Sequence, residues 1–251
     1  MLIAILVLFF TVVLAGFLVK LFPPGNTRWL KMALAFSGAY LFTITITHLL
    51  PDVLLSTQDP HVVGYWVLAG FFLQLVLELF SHGVEHGHMH THTHSHKAAD
   101  TIPFLLLGSL FVHAFLEGSI LVDQDHRSVG HMHHEGSFYA VLVGVALHHV
   151  PAAFALMSVL LSRLKNFRKA LAWLLVFAAG SPLGILASNA LLSQEAPGSA
   201  VYTALTGLVA GNFLHISTTI LFETSPDHSF NRNKLVATLL GLVLALLTDL
   251  V

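Results

Sequence analysis

The chain reads as an all-α membrane protein of eight transmembrane helices, with both termini extracytoplasmic. Three observations lead there. Mean hydropathy is +0.79 with only 10% charged residues, outside the range of ordinary soluble domains. The apolar residues fall in continuous Leu/Val/Ala/Phe runs, where a membrane β-barrel would show alternation. The basic residues gather on alternate connections, as the positive-inside bias requires.

Taken in order, the runs cover about Leu2–Leu21, Trp29–Leu55, Val62–Phe80, Ile102–Val122, Ser137–Leu161, Ala170–Leu192, Ala200–Phe222 and Leu235–Leu250. Each approaches the roughly 20 residues that a helix needs to cross a bilayer. The first has no basic n-region and no clear cleavage site, so it is expected to be retained as a span. The second ends in HLLPD, His48 to Asp52. The third carries Gln74 and Glu78 on one face. The fourth carries His113 and Glu117, and the fifth carries His148, His149 and Pro151. The sixth contains SPLG, Ser181 to Gly184, and the seventh contains His215.

Lys20, Arg28, Lys31, Lys97, Arg163, Lys165, Arg168, Lys169, Arg232 and Lys234 all fall on odd-numbered connections, and only Arg127 falls on an even one. The odd connections are therefore expected in the cytoplasm. The third of these, residues 81–100, reads HGVEHGHMHTHTHSH, a polar low-complexity tract too poor in apolar residues to pack. It is expected to form a cytoplasmic His-rich loop inserted into a single transmembrane domain, residues 1–251. Its histidines can hold zinc, nickel or copper loosely, or the loop has no role. The outer fourth connection holds Asp123, Asp125, His126, His131, His133, His134 and Glu135.

Near-neutral net charge argues against a nucleic-acid partner. Without cysteine there is no disulfide and no thiolate ligand, so any metal is held by nitrogen and oxygen. Ionisable groups at membrane depth are costly and commonly line a cavity or pathway. His113 and Glu117, spaced i and i+4, share a helix face and are both zinc-competent. The alternative is a buried helix–helix hydrogen bond. His148 and His149 point about 100° apart, and Pro151 is expected to loosen the helix at the Leu147 carbonyl. Gly118 beside Glu117 would let a neighbouring helix approach closely. His215 reads as a hydrogen-bonded core histidine or a pathway ligand. His48 with Asp52 reads as an entrance site or an ordinary helix end. Glu78 reaches water or belongs to an exit route.

HAFLEG in the fourth span and HHVPAAFAL in the fifth resemble the metal-site motifs of the ZIP family of divalent-metal transporters. HLLPD, SPLG, AGNFLHIS and the His-rich third connection are similar to that family as well, so the resemblance covers essentially the whole chain. It implies a metal site midway through the membrane with His113, Glu117, His148 and His149 as ligands. The sequence departs from the family pattern at Ala114, Ala152 and Ser181, where members often have Asn, Glu or His, and Glu. One ion is therefore expected where part of the family holds two.

The implied function is not enzymatic. A membrane transporter would move Zn2+ into the cytoplasm by alternating access through the central His/Glu site. Iron(II), manganese and cadmium are further possible cargoes, since ligand type alone does not separate zinc from its neighbours. The main alternative is an intramembrane zinc-dependent hydrolase, for which the loss of a carboxylate at Ala152 leaves few spare acids. A bis-histidine haem protein would leave Glu117 without purpose, and a metal-export antiporter fits eight spans less well. Membrane lipid surrounds the chain, and a homodimer is a possible assembly. Short loops and no targeting segment point to a prokaryotic inner (plasma) membrane.

Overall fold

A computed structural model of the chain describes residues 1–22, 27–81, 104–121, 134–192, 195, 199–222 and 232–248. Among them every regular element is helical. Helix α1 is Leu2–Phe17 and runs on through a 3₁₀ turn, Leu18–Lys20. Then come α2, Thr27–Ile44, and α3, Leu50–Ser56, which a π turn at Thr45–Leu49 joins into one rod. They are followed by α4, Pro60–Ser81, α5, Phe104–Ser119, α6, His134–Leu164, α7, Phe167–Leu192, α8, Ala200–Phe222, and α9, Arg232–Thr248. Each of the eight apolar runs thus contains a helical rod. Six rods are long and apolar enough to cross a membrane, and α5 is a shorter apolar helix. The 16 residues of α5 rise roughly 24 Å, less than the ~30 Å hydrocarbon core. The 31 residues of α6 exceed it. The His-rich tract and the outer connection up to His133 lie outside the described residues, while His134 and Glu135 begin α6.

Local sequence sets the helix ends. Asp59 Oδ1 accepts the His61 N–H at 3.0 Å, and Pro60 occupies the first turn of α4, where its missing N–H costs nothing. Between α6 and α7 only Lys165 and Asn166 intervene. Lys165 adopts the left-handed conformation (φ 49°) that commonly closes a helix, and Asn166 Oδ1 caps the Lys169 N–H at 3.1 Å. The Lys20 ammonium lies 4.0 Å from the Phe167 ring centroid, so the ends of the first and fifth connections share one end of the molecule.

Helix α6 continues through Pro151, which leaves the Leu147 carbonyl without its i+4 donor. A second irregularity lies before Pro51, where the Leu50 N–H bonds the Thr45 carbonyl in a wider turn. Both prolines lack a donor, but at Pro51 the wider turn makes room for the ring against the carbonyl four residues back. Thr43, Thr45 and Thr47 hydroxyls bond the carbonyls four residues earlier, which satisfies polar groups that lipid could not.

The helices sort into two packed groups. Helices α1, α5, α6 and α7 form one, and α2, α4, α8 and α9 form the other. Close backbone contacts seated on glycine lie within the groups. A Cβ at Gly118 would fall on the Ser181 backbone, and one at Gly184 on the Phe115 carbonyl, joining α5 to α7. Gly70 against Leu208, and Gly211 against the Val67 carbonyl, join α4 to α8, while Gly241 meets the Phe36 carbonyl of α2. Without a hydrophobic drive inside lipid, such small-residue contacts supply van der Waals attraction between helices. The seam between the groups runs along α2–α6 and α4–α5. There, Gly144 of α6 faces the side chains of Tyr40 and Ile44 rather than backbone, and the Tyr40 hydroxyl donates to the Ala140 carbonyl at 3.2 Å.

Candidate metal centre

Helix periodicity places His113 and Glu117 one above the other on α5, and His148 and His149 stand at the middle of α6. The α5–α7 contact at Gly118 brings α5 tight against its neighbour, so Glu117 is held inside the protein rather than against lipid. His113, Glu117, His148 and His149 are each at most 1% exposed. One donor atom from each of His113, Glu117 and His148 lies within 4.8 Å of the others. His113 Nε2 is 3.5 Å from Glu117 Oε2, and His148 Nε2 is 3.9 Å from Glu117 Oε1. The two imidazole rings meet edge to face, 5.9 Å between centroids. Four ligands at zinc distances of about 2.0–2.1 Å stand roughly 3.3 Å apart in a tetrahedron, so this spacing needs only a small contraction to hold an ion.

His149 takes a different position. Its Nε2–H donates to Glu117 Oε2 at 2.8 Å and lies 3.5 Å from Ser181 Oγ, while its ring packs on Phe177. In this arrangement it orients the carboxylate instead of joining the converging trio. Ser181 Oγ in turn donates to the Ala114 carbonyl at 2.8 Å. The positions where the resemblance would offer further ligands are therefore two buried methyl groups, Ala114 and Ala152, and a hydroxyl already committed to backbone.

The remaining candidates lie outside this trio. His215 Nε2 pairs with Glu78 Oε2 at 2.7 Å across α8 and α4, and its ring packs on Phe71. His48 and Asp52 are half-buried at the π turn and the start of α3. Sequence reasoning missed what Gln74 touches: its Oε1 lies 3.2 Å from His113 Nδ1, across the seam from α4 to α5. It also passed over Asn212 of α8, fully buried with neither amide atom hydrogen-bonded among the described residues. An amide inside an apolar run was the available signal for both.

Residues 88–249 match the family model described as ZIP Zinc transporter. The chain belongs to the ZIP family. Among its relatives is protein zntD of Dictyostelium discoideum, 26% identical over 138 residues, which are 54% of this chain and 19% of that protein. The chain therefore spans about a fifth of the relative's length. The matched region includes α5 and α6 and so all four central His and Glu side chains.

Proposed function

We propose that this ZIP protein carries a divalent metal ion, zinc foremost, across the membrane into the cytoplasm, with His113, Glu117 and His148 as the ligands that replace the ion's water shell. The observation that carries this reading is the trio itself: three donors converging in a dry interior. His113 Nε2 and Glu117 Oε1 are buried and make no hydrogen bond among the described residues. Buried polar groups are normally satisfied, and lone pairs that face one another call for a cation. Imidazole and carboxylate are suited to zinc. A dication bound beside one carboxylate has half its charge neutralised, which lowers the cost of holding it at this depth.

Movement is the second part of the proposal. All the ligands belong to the α1/α5/α6/α7 group, in which glycine-seated backbone contacts join α5 to α7 and α1 packs on α6 and α7. At the seam, side chains of α2 such as Tyr40 and Ile44 meet α6 without two backbones touching. Alternating access then consists of one rigid group shifting against the other, so that the same site faces first one side and then the other. His149, as the carboxylate's hydrogen-bond partner or as an alternative fourth ligand, keeps Glu117 aimed.

The test is zinc uptake by proteoliposomes containing the purified chain. Uptake should saturate with zinc and weaken as pH falls, because the bound histidines must be neutral and the carboxylate ionised. His113→Ala and His148→Ala should abolish uptake at low zinc. Liposomes with wild-type protein that gain no zinc over protein-free ones would refute the transport reading.

A further inference from the structure

We propose that Gln74 is the positioning residue of the metal centre: from the opposite helix group it sets which nitrogen of His113 faces the ion. Gln74 is the one amide in the apolar run of α4 and is fully buried, on a helix whose other residues mostly face outward. Its Oε1 meets His113 Nδ1 at 3.2 Å, while its Nε2 makes no hydrogen bond. The histidine contact is thus what holds the amide in place, and among the described residues no other polar contact explains its burial. With Oε1 as the neighbour, which can only accept, we assign the proton to Nδ1. Nε2, 3.5 Å from Glu117 Oε2, then keeps its lone pair for an ion held between them. A metal-bound histidine whose other nitrogen is fixed in this way has its tautomer and ring orientation set before the ion arrives.

The location of the partner gives the contact a consequence beyond orientation. His113 lies on α5 and Gln74 on α4, on opposite sides of the seam. If the groups shift against one another, this bond lasts only in arrangements that keep α4 beside α5. Gln74 then makes the site's affinity depend on the arrangement of the groups: tight where the bond is made, weaker where it is broken. This coupling rests on the transport reading above. The tautomer assignment does not.

Two measurements on the full-length chain separate them. In the first, long-range proton–nitrogen spectra of metal-free, nitrogen-15 histidine-labelled protein read the tautomer, with the His113 signals identified by their loss in His113→Ala. Wild type should show a protonated Nδ1 and a bare Nε2. Gln74→Met, close in volume but without the carbonyl, should show an averaged pattern. A wild-type His113 protonated at Nε2, or a pattern unchanged in Gln74→Met, overturns the assignment. In the second, zinc uptake by proteoliposomes should show KM raised by about 10–100-fold in Gln74→Met, the usual range for loss of an orienting partner, with kcat retained. Gln74→Glu, which keeps an acceptor oxygen at the same reach, should return KM most of the way to wild type. Gln74→Leu repeats the test with a different apolar side chain, should Gln74→Met fail to reach the membrane. An unchanged KM, a fall in kcat alone, or no rescue by Gln74→Glu overturns the coupling. Wild-type liposomes without uptake would count against transport and against the coupling, while the spectra still decide the tautomer.

Discussion

At the scale of single residues, Glu117 is the hub. His113, His148 and His149 each approach one of its oxygens, at 3.5, 3.9 and 2.8 Å. It is the one carboxylate of the trio, and that sets how many ions the centre can hold. Two divalent ions a few ångströms apart repel strongly in a low-dielectric interior, and bridging carboxylates must offset the repulsion. Ala114, Ala152 and Ser181 offer none. One tight ion per chain is expected from zinc titration of a protein lacking Glu85–His96, which removes binding by the tract. Two tight ions would contradict this geometry. In the same titration His113→Ala or His148→Ala should weaken binding by more than the roughly 10–100-fold typical of an orienting partner. His215→Ala should change it far less, because His215 is bonded to Glu78 outside the trio. The i, i+4 pair on α5 and the adjacent histidines on α6 were legible in the sequence, since helical periodicity fixes which side chains share a face. The His113–Gln74 and His215–Glu78 contacts were not. Gln74 and Glu78 sharing one face of α4 marks the inward side of that helix, but which neighbouring helix it meets depends on tertiary packing that the run does not encode.

Among the elements, α5 and α7 show how the site is held. Gly118 and Gly184 let the two backbones touch, and Glu117 sits next to the first of these contacts. The close approach expected at Gly118 is present, and α7 is the partner that makes it. Gly184→Ala would drive a methyl into the Phe115 carbonyl and force the helices apart. Overpacking of this kind costs on the order of 1–3 kcal/mol. Gly108, on the same helix α5, has open space where a Cβ would go. Thermal unfolding of the detergent-purified protein should therefore show a lower Tm for Gly184→Ala and an unchanged or higher one for Gly108→Ala. Equal effects would mean that helix propensity, not packing, governs both positions. The eight rods were readable from hydropathy because each is a long uninterrupted run. The π turn at Thr45–Leu49 was not, because both Pro51 and Pro151 carry the same sequence signal and only the surrounding packing decides which rod adapts.

For the whole molecule, sidedness and movement are the two open quantities. The basic bias predicts that Ser95→Cys and Ser128→Cys in this cysteine-free chain react oppositely with an impermeant thiol reagent on intact cells, Ser128→Cys being the accessible one. Reaction of Ser95→Cys from outside would reverse the orientation. Movement can be tested on the same cysteine-free background. If one helix group shifts against the other, a covalent tie across the seam should stop transport, whereas a tie inside a group should not. Ile44 of α2 and Gly144 of α6 meet across the seam, and Gly38 of α2 meets Ile220 of α8 inside a group. The double variant Ile44→Cys with Gly144→Cys, bridged by a short reversible thiol cross-linker, should lose zinc uptake and regain it on reduction. Gly38→Cys with Ile220→Cys, bridged in the same way, should keep uptake at the level of its reduced form. Both pairs involve α2, so damage to that helix alone cannot produce the difference. Full uptake by the bridged seam pair would rule out rigid-group sliding along α2–α6 and leave the site to open by local rearrangement around His148 and Glu117.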